Sequence, residues 1–307
     1  MVIIMKKIIL ITVLLITIPY ILLLLLKPKE LKEKKFIKET TQLVRVKRDK
    51  KNTIEKIPIE NYLVGVLAGE MPVSYDIEAL KAQAVAARTY TLKKIEQNIN
   101  KEYDVIDTTN DQVYIDEQEL KERWKESYDE NIKKIKQAVY ETLGEYLTYD
   151  GKTINAFFFS TSSGKTENCK DVFGESLPYL VSVSSTWDET SPSYEKEISM
   201  SKEEFCKKLE ITCDEIKIEI ERNETNSIKT ITINNKIIKG TDFRFKLGLR
   251  STNLEIEKND DEIKIKSKGY GHGVGMSQYG AHELAKKGYK YNEILKYYYQ
   301  GTEFKKI

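Results

Sequence analysis

The stretch from Gly65 to Tyr90 constrains this chain more than any other. It reads Gly65-Val66-Leu67-Ala68-Gly69-Glu70-Met71-Pro72, then Glu78-Ala79-Leu80-Lys81-Ala82-Gln83-Ala84-Val85-Ala86-Ala87-Arg88-Thr89-Tyr90. Tyr62, Val66 and Leu67 have helical spacing, Gly69 stands where a helix C-cap is expected, and Pro72 enforces a break. Ser74 or Asp76 caps a second helix running to about Gln97, with a slim stripe of Leu80, Ala84, Ala87 and Thr91 that allows close packing. Glu70 is left at a helix end among small and apolar residues. Desolvation favours the neutral form of such a carboxyl and lifts its pKa toward the range of a general acid. A solvated helix-end glutamate is the competing reading, and the local pattern does not separate the two. Lys81, Val85 and Arg88 share a neighbouring stripe, so two cations point either toward the Glu70 turn or into solvent.

With 307 residues the chain has room for one elaborated domain or two. Its 50 Lys plus Arg nearly cancel 48 Asp plus Glu, so no overall field selects nucleic acid as a partner. The 19 tyrosines suit sugar-binding grooves and ordinary half-buried positions alike. Ile8 to Leu26 carries no charge and approaches the roughly 20 apolar residues that cross a hydrocarbon core as a helix. No small-residue cleavage site follows Leu26, and the run exceeds a usual signal-peptide core, so an uncleaved anchor is expected. Lysines flank it on both sides; its N-terminal position favours a short cytoplasmic tail (1–7), an anchor (8–26), a charged tether (27–41) and an exported remainder.

The three cysteines, Cys169, Cys206 and Cys213, exclude a full disulfide framework. Spacing leaves the pairing of Cys206 with Cys213 open. The two histidines, His272 and His282, belong to no metal-ligand spacing. Beyond the tether, Gln42 to Lys47 alternates like a strand, Tyr103 to Ile115 reads as loop and short strand, and Glu117 to Leu143 as one charged amphipathic helix. Thr153 to Ser160 reads as a buried strand. It feeds Thr161-Ser162-Ser163-Gly164-Lys165-Thr166, which lacks the glycine of a phosphate loop because position 159 is Phe. Ser162 and Lys165 have the spacing of a serine acyl-enzyme, but Glu167 stands where a Lys-Thr-Gly partner would need glycine. The loop is read as a polar binding wall.

From about 201 to 268 the pattern becomes strand-rich: a helix at Lys202–Leu209, strands over Glu215–Arg222, Ile228–Asn234 and Glu262–Lys266, and a short helix over Asp242–Leu249. Gly269-Tyr270-Gly271-His272-Gly273-Val274-Gly275-Met276-Ser277-Gln278-Tyr279-Gly280-Ala281 lets the backbone approach a ligand, but lacks a dinucleotide-binding register. His272 there is a ligand contact or a backbone-bonded structural group. Ser277–Lys287 and Tyr291–Tyr299 read as closing helices. The fold class is α+β: a helical core with mixed strands and a β-rich insert or second lobe, preceded by one transmembrane helix.

The segments VGVLAGEMP, EALKAQAVAARTYTL, DQVY, FSTSSGKT, PYLVSV, FRFKLGLRS and GYGHGVGMSQYGA, in this order, resemble the stage II sporulation protein D family, whose domain also occurs in amidase enhancers. The resemblance spans roughly 40–303, and the catalytic domain is placed at 42–303. It implies a peptidoglycan lytic transglycosylase acting in engulfment during endospore formation, anchored in the mother-cell membrane and facing the forespore. Glu70 matches the family's catalytic residue. The resemblance also implies glycan strands stripped of stem peptides by a stage II sporulation protein P-like amidase, with other membrane engulfment proteins as partners.

Stripping exposes a lactyl carboxylate on each muramic sugar, which cations suit. Lys81, Arg88 and Lys165 are the candidates, with Gln83, Gln112, Tyr114, Ser163, His272 and Gln278 as polar cleft walls. Some relatives carry a zinc site with cysteines at positions that here are Ile106 and Asp111, so no metal or other cofactor is expected. Asp107 and Asp111 are expected to hold that loop through side-chain to backbone bonds. The alternative function is a noncatalytic glycan-binding activator of a cell-wall amidase.

Overall fold

The computed structural model describes residues 42–213 and 215–307, together with Thr17. The expected tail over 1–7, the tether over 27–41 and, apart from Thr17, the anchor over 8–26 lie outside the described residues. Among the described residues no helix is long and apolar enough to cross a membrane. The fold is a mixture of helices and strands, as the α+β class requires.

β1 (Leu43–Arg48) pairs antiparallel with β2 (Thr53–Pro58) and parallel with β3 (Val105–Ile106). α1 (Ile59–Glu70) follows directly and ends when Met71 turns extended at φ −126. Gly69 is thus an interior helical residue and not the expected C-cap. α2 (Ile77–Gln97) starts at Asp76, whose side chain accepts from the Glu78 N–H at 2.8 Å. The long helix expected over Glu117–Leu143 is two, α3 (Glu117–Trp124) and α4 (Tyr128–Glu141). They are separated where Lys125 adopts φ +47, a left-handed conformation that no α-helix continues through.

The strand expected over Thr153–Ser160 is divided as well. β5 (Lys152–Thr153) pairs with β4 (Glu145–Tyr149), which also carries β14 (Glu303–Lys306), whereas β6 (Phe158–Phe159) pairs parallel with β13 (Met276–Ser277). Its two ends serve different sheets, so the chain between them has no ladder partner to hold it extended.

α2 is the axis of the molecule. From Ala79 to Thr91 every residue except Lys81 is buried, so the anticipated slim stripe is burial on all sides. α1, α4, β4, α8 (Gln278–Lys286) and α9 (Tyr291–Tyr298) surround it. Ala82, Ala84, Ala86 and Ala87 are fully buried and let those elements approach together.

A second apolar cluster lies in the strand-rich stretch formed by β7 (Glu195–Ser201), α6 (Lys202–Leu209), β8 (Ile218–Arg222), β9 (Ile228–Ile233), β10 (Lys236–Lys239), α7 (Gly240–Leu247), β11 (Asn253–Lys258) and β12 (Glu262–Lys268). The strands form two antiparallel sheets, ordered β10-β9-β8 and β11-β12-β7, over Phe205 and Phe243. Cys206 and Cys213, whose pairing the spacing left open, form a disulfide at a Cα–Cα distance of 5.8 Å. Cys169, the first residue of the short helix α5 (Cys169–Phe173), is free and buried, and burial pushes its thiol up to about 11.

Candidate active site

Glu70 is the last residue of α1, and its carboxylate is largely withdrawn from water. Burial pushes its pKa up to about 7, against a single opposing hydrogen bond from the Val113 N–H to Oε1 at 2.5 Å. Among the described residues no cation pairs with it. Desolvation therefore wins, which is the environment of a carboxyl that can hold a proton near neutral pH. Tyr62 and Tyr90 lie close enough for the Glu70 charge to help raise their own pKa values, so both phenols stay protonated.

The Val113 contact exists because the 107–115 loop is pressed flat onto α1. A Cβ at Gly65 would overlap the Tyr114 ring and the Ile115 carbonyl, and one at Gly69 would overlap the Val113 carbonyl. Two glycines one helical turn apart thus make the seat, and Ile115 N–H donates to the Gly65 carbonyl at 3.3 Å. Asp111 accepts from the Ile106 N–H at 2.9 Å, and Asp107 from the Asp49 N–H at 2.8 Å, as side-chain to backbone ties. Arg48 adds ion pairs to Asp107 and Asp116 from β1. Gly69→Ala should displace this loop, cost roughly 1–3 kcal/mol of stability and remove the Val113 bond to Glu70. Chemical denaturation and the pH midpoint of Glu70 would register both effects; an unchanged midpoint would remove the seat from the account.

The residues singled out from sequence fall into separate places. Arg88 is fully buried and grips Glu60 through Nε and Nη2 at 2.9 and 2.6 Å, with further bonds to the Glu145 and Val139 carbonyls. Its reading as a substrate cation is corrected: its donors are committed inside the fold. Lys81 pairs with Glu78 at 2.8 Å and Glu141 at 2.7 Å, so its charge is met by carboxylates of the fold. Gln112 is also internal, taking bonds from Thr91 and donating to the Ala87 carbonyl. Tyr114 stacks on Tyr62 at 5.2 Å and lies under the Arg48 guanidinium. Both hold the Glu70 loop against α1 and α2, Gln112 from inside the fold and Tyr114 from a half-buried position.

Gln83 lies one turn before Ala87, fully buried, and its amide atoms have no hydrogen-bond partner among the described residues. The Gln278 amide nitrogen, at the start of α8, is likewise buried and unpartnered. His272 accepts from the Val274 N–H at 3.1 Å and packs among Phe157, Phe159 and Phe173. Burial first, and the nearby Arg244 charge second, hold its pKa down to about 4, so it is neutral and fixed. Ser163 is half-buried, and Lys165 is exposed on the same loop, without an ion pair among the described residues.

Three further groups carried no local signal. Tyr90, on α2, donates to Asp111 at 2.9 Å and packs 6.3 Å from Phe157, linking the acid to the aromatic row. Asp188 is fully buried and accepts from the Ser162 N–H, Ser185 and Ser277, tying the 161–166 loop to the glycine-rich segment; burial raises it to about 6. Glu167 accepts from Asn223, Thr225 and Ser227 and anchors the strand-rich stretch. Each is polar and isolated in sequence, and only its distant partners give it meaning. Among the described residues no group of three or more His, Cys, Asp or Glu is placed to hold a metal.

A family model described as stage II sporulation protein matches residues 47–149, which contain α1, α2 and the loop bearing Val113. The chain is 42% identical to stage II sporulation protein D of Bacillus subtilis over 274 residues, covering 87% of this chain and 80% of that protein. The same identity and coverage hold for the protein of that name from Bacillus amyloliquefaciens. It is 31% identical to the amidase enhancer of Bacillus subtilis over 297 residues, covering 78% of this chain and 40% of that longer protein. An identity this high along nearly the whole described fold, with the glutamate and its glycine seat inside the matched region, places the chain in the stage II sporulation protein D family.

Proposed function

We propose that this chain is a peptidoglycan lytic transglycosylase that cleaves peptide-free glycan strands to anhydro-muramic products during engulfment in endospore formation. The observation that carries the reading is one desolvated carboxyl with a pKa of about 7 and, among the described residues, no cation paired with it. A glycosidase that uses water generally needs two carboxylates. Asp111, which faces the same loop, is held by Ile106, Tyr90 and Lys94 and is not free to act as the second.

One acid suffices for an intramolecular reaction. The protonated Glu70 gives its proton to the bridging oxygen as the glycosidic bond breaks. The carboxylate so formed, held by the Val113 N–H, takes the proton of the sugar's own 6-hydroxyl, whose oxygen closes the anhydro ring on the anomeric carbon. The tethered nucleophile supplies the effective molarity that a positioned water would otherwise provide. The run 8–26 anchors the chain in the mother-cell membrane with the catalytic domain outside the cytoplasm, beside an amidase that strips the strands first.

The test is product mass after incubating the chain with amidase-stripped glycan: anhydro-muramic termini support the reading, and hydrated reducing ends or intact strands overturn it. Because the resting acid must be protonated, kcat/KM should fall about tenfold per pH unit above about 7. A profile flat from pH 6 to 9 would remove Glu70 as the acid. A noncatalytic role is favoured by the relative named amidase enhancer. No product from the parent chain, together with faster amidase turnover in its presence, would establish that second reading.

A further inference from the structure

Both cations expected beside Glu70 on α2 are consumed by internal ion pairs, so a carboxylate-bearing ligand must find its counter-charge elsewhere. Two half-buried arginines, Arg244 on α7 and Arg250 just beyond it, pair with no carboxylate among the described residues. The Arg244 Nε donates to the Leu249 carbonyl at 3.2 Å, and the Arg250 Nη1 to the Ser193 carbonyl at 3.4 Å. Neither contact neutralises the guanidinium charge. Both groups lie near Tyr270 of the glycine-rich segment: Arg250 is 5.0 Å from its ring centroid, and Arg244 interacts with it electrostatically. Arg244 is desolvated enough for burial to lower its pKa, an unfavourable position for a lone cation that a bound anion would relieve.

These arginines stand at the end of an aromatic row that begins at the catalytic acid. Tyr90, within electrostatic range of Glu70, packs 6.3 Å from Phe157. Phe157 packs 5.0 Å from Phe173 and 6.1 Å from His272, and His272 feels the Arg244 charge. Phe173 is 49% exposed and Phe245, beside Arg244, is 78% exposed, so apolar ring surface is open to solvent at these two positions. A cavity of about 400 Å³ adjoins it between Phe173 and the start of α7 at Thr241. Its lysines, Lys170, Lys229 and Lys239, are matched by Glu167, Asp171 and Asp242, so the cavity itself does not select an anion.

We propose that Arg244 and Arg250, both beside Tyr270, form an anion subsite that takes the lactyl carboxylate of a peptide-free muramic sugar, the exposed rings of Phe173 and Phe245 meeting the adjoining sugars. Planar guanidinium forks match a carboxylate bidentately, and ring faces accept the apolar faces of sugars. A muramic residue still bearing its stem peptide has an amide there and no charge, so this pair would make the chain selective for stripped strands. The proposal rests on the glycan reading above, and its test is separable from it.

Binding is measured with the full chain in a Glu70→Gln background, on peptide-free glycan strands and on the same strands with carboxylates converted to methyl amides. The parent should prefer the free carboxylate, and R244Q/R250Q should lose roughly tenfold in affinity for that strand alone. Each single variant should show part of that loss, and unchanged thermal unfolding would report an intact fold. Equal affinity of parent and double variant for the carboxylate strand, an equal loss on both strands, or no preference by the parent would overturn the subsite. A preference that persists in a chain found to make no anhydro product would leave the subsite standing and end the transglycosylase reading.

Discussion

Glu70→Gln is expected to lower formation of anhydro-muramic product by about 10²–10⁴-fold, the usual worth of a positioned general acid. The substitution keeps shape, and its amide oxygen can still accept from the Val113 N–H, so the fold should survive. A stability signature of definite sign accompanies it. In the folded chain Glu70 titrates at about 7 against an ordinary 4.5. Between those values the native state holds a proton that the unfolded chain has released, so stability falls as pH rises through that window. The cost is complete above about pH 7 and absent below about pH 4. Glutamine never ionises, so the variant should exceed the parent by about 1–3 kcal/mol at pH 8 and match it near pH 4. Undiminished product would end the enzymatic reading, whereas a stability difference independent of pH would show that Glu70 is not desolvated as described.

Arg88→Ala should act on folding and not on substrate. Removing one partner of a buried ion pair leaves Glu60 charged and uncompensated, at a cost of about 3–5 kcal/mol. Domains hold only about 5–15 kcal/mol in total, so much of the variant is expected to be unfolded or degraded in cells. Glu60 also accepts from the Gly144 N–H, and the guanidinium donates to two carbonyls around α4 and β4. An Arg88→Met, Glu60→Gln double variant removes both charges and should recover much of the loss, as the coupling within a pair requires. Urea midpoints of the single and double variants measure this. A single variant with the parental midpoint and weakened glycan binding would return Arg88 to the cleft.

Local chemistry is what a sequence displays, and the elements that depend on it alone were readable. The break at Pro72, the Asp76 cap, the Lys202–Leu209 helix and the alternating strands at 218–222 and 228–233 stand essentially where periodicity places them. Glu70 was visible as a carboxyl among small residues. Errors fall where a distant partner decides. Gly69 has the composition of a cap, yet its lack of Cβ serves the Val113 carbonyl, which arrives from the far end of α2. Lys81 and Arg88 share a helix face, but Glu141 and Glu60 come from other helices and claim them.

By itself the sequence determined the helix pair around Glu70, the mixed α+β character and, through its ordered motifs, the family. Only the tertiary structure decided that Glu70 is desolvated, that Arg88 is internal, and that Arg244 and Arg250, beside Tyr270, have no carboxylate partner among the described residues. Helix and strand signals repeat within a few residues and are carried by the local chain. A pKa, an ion pair or an unpaired charge depends on which side chains meet across the fold, and that is settled when the layers pack.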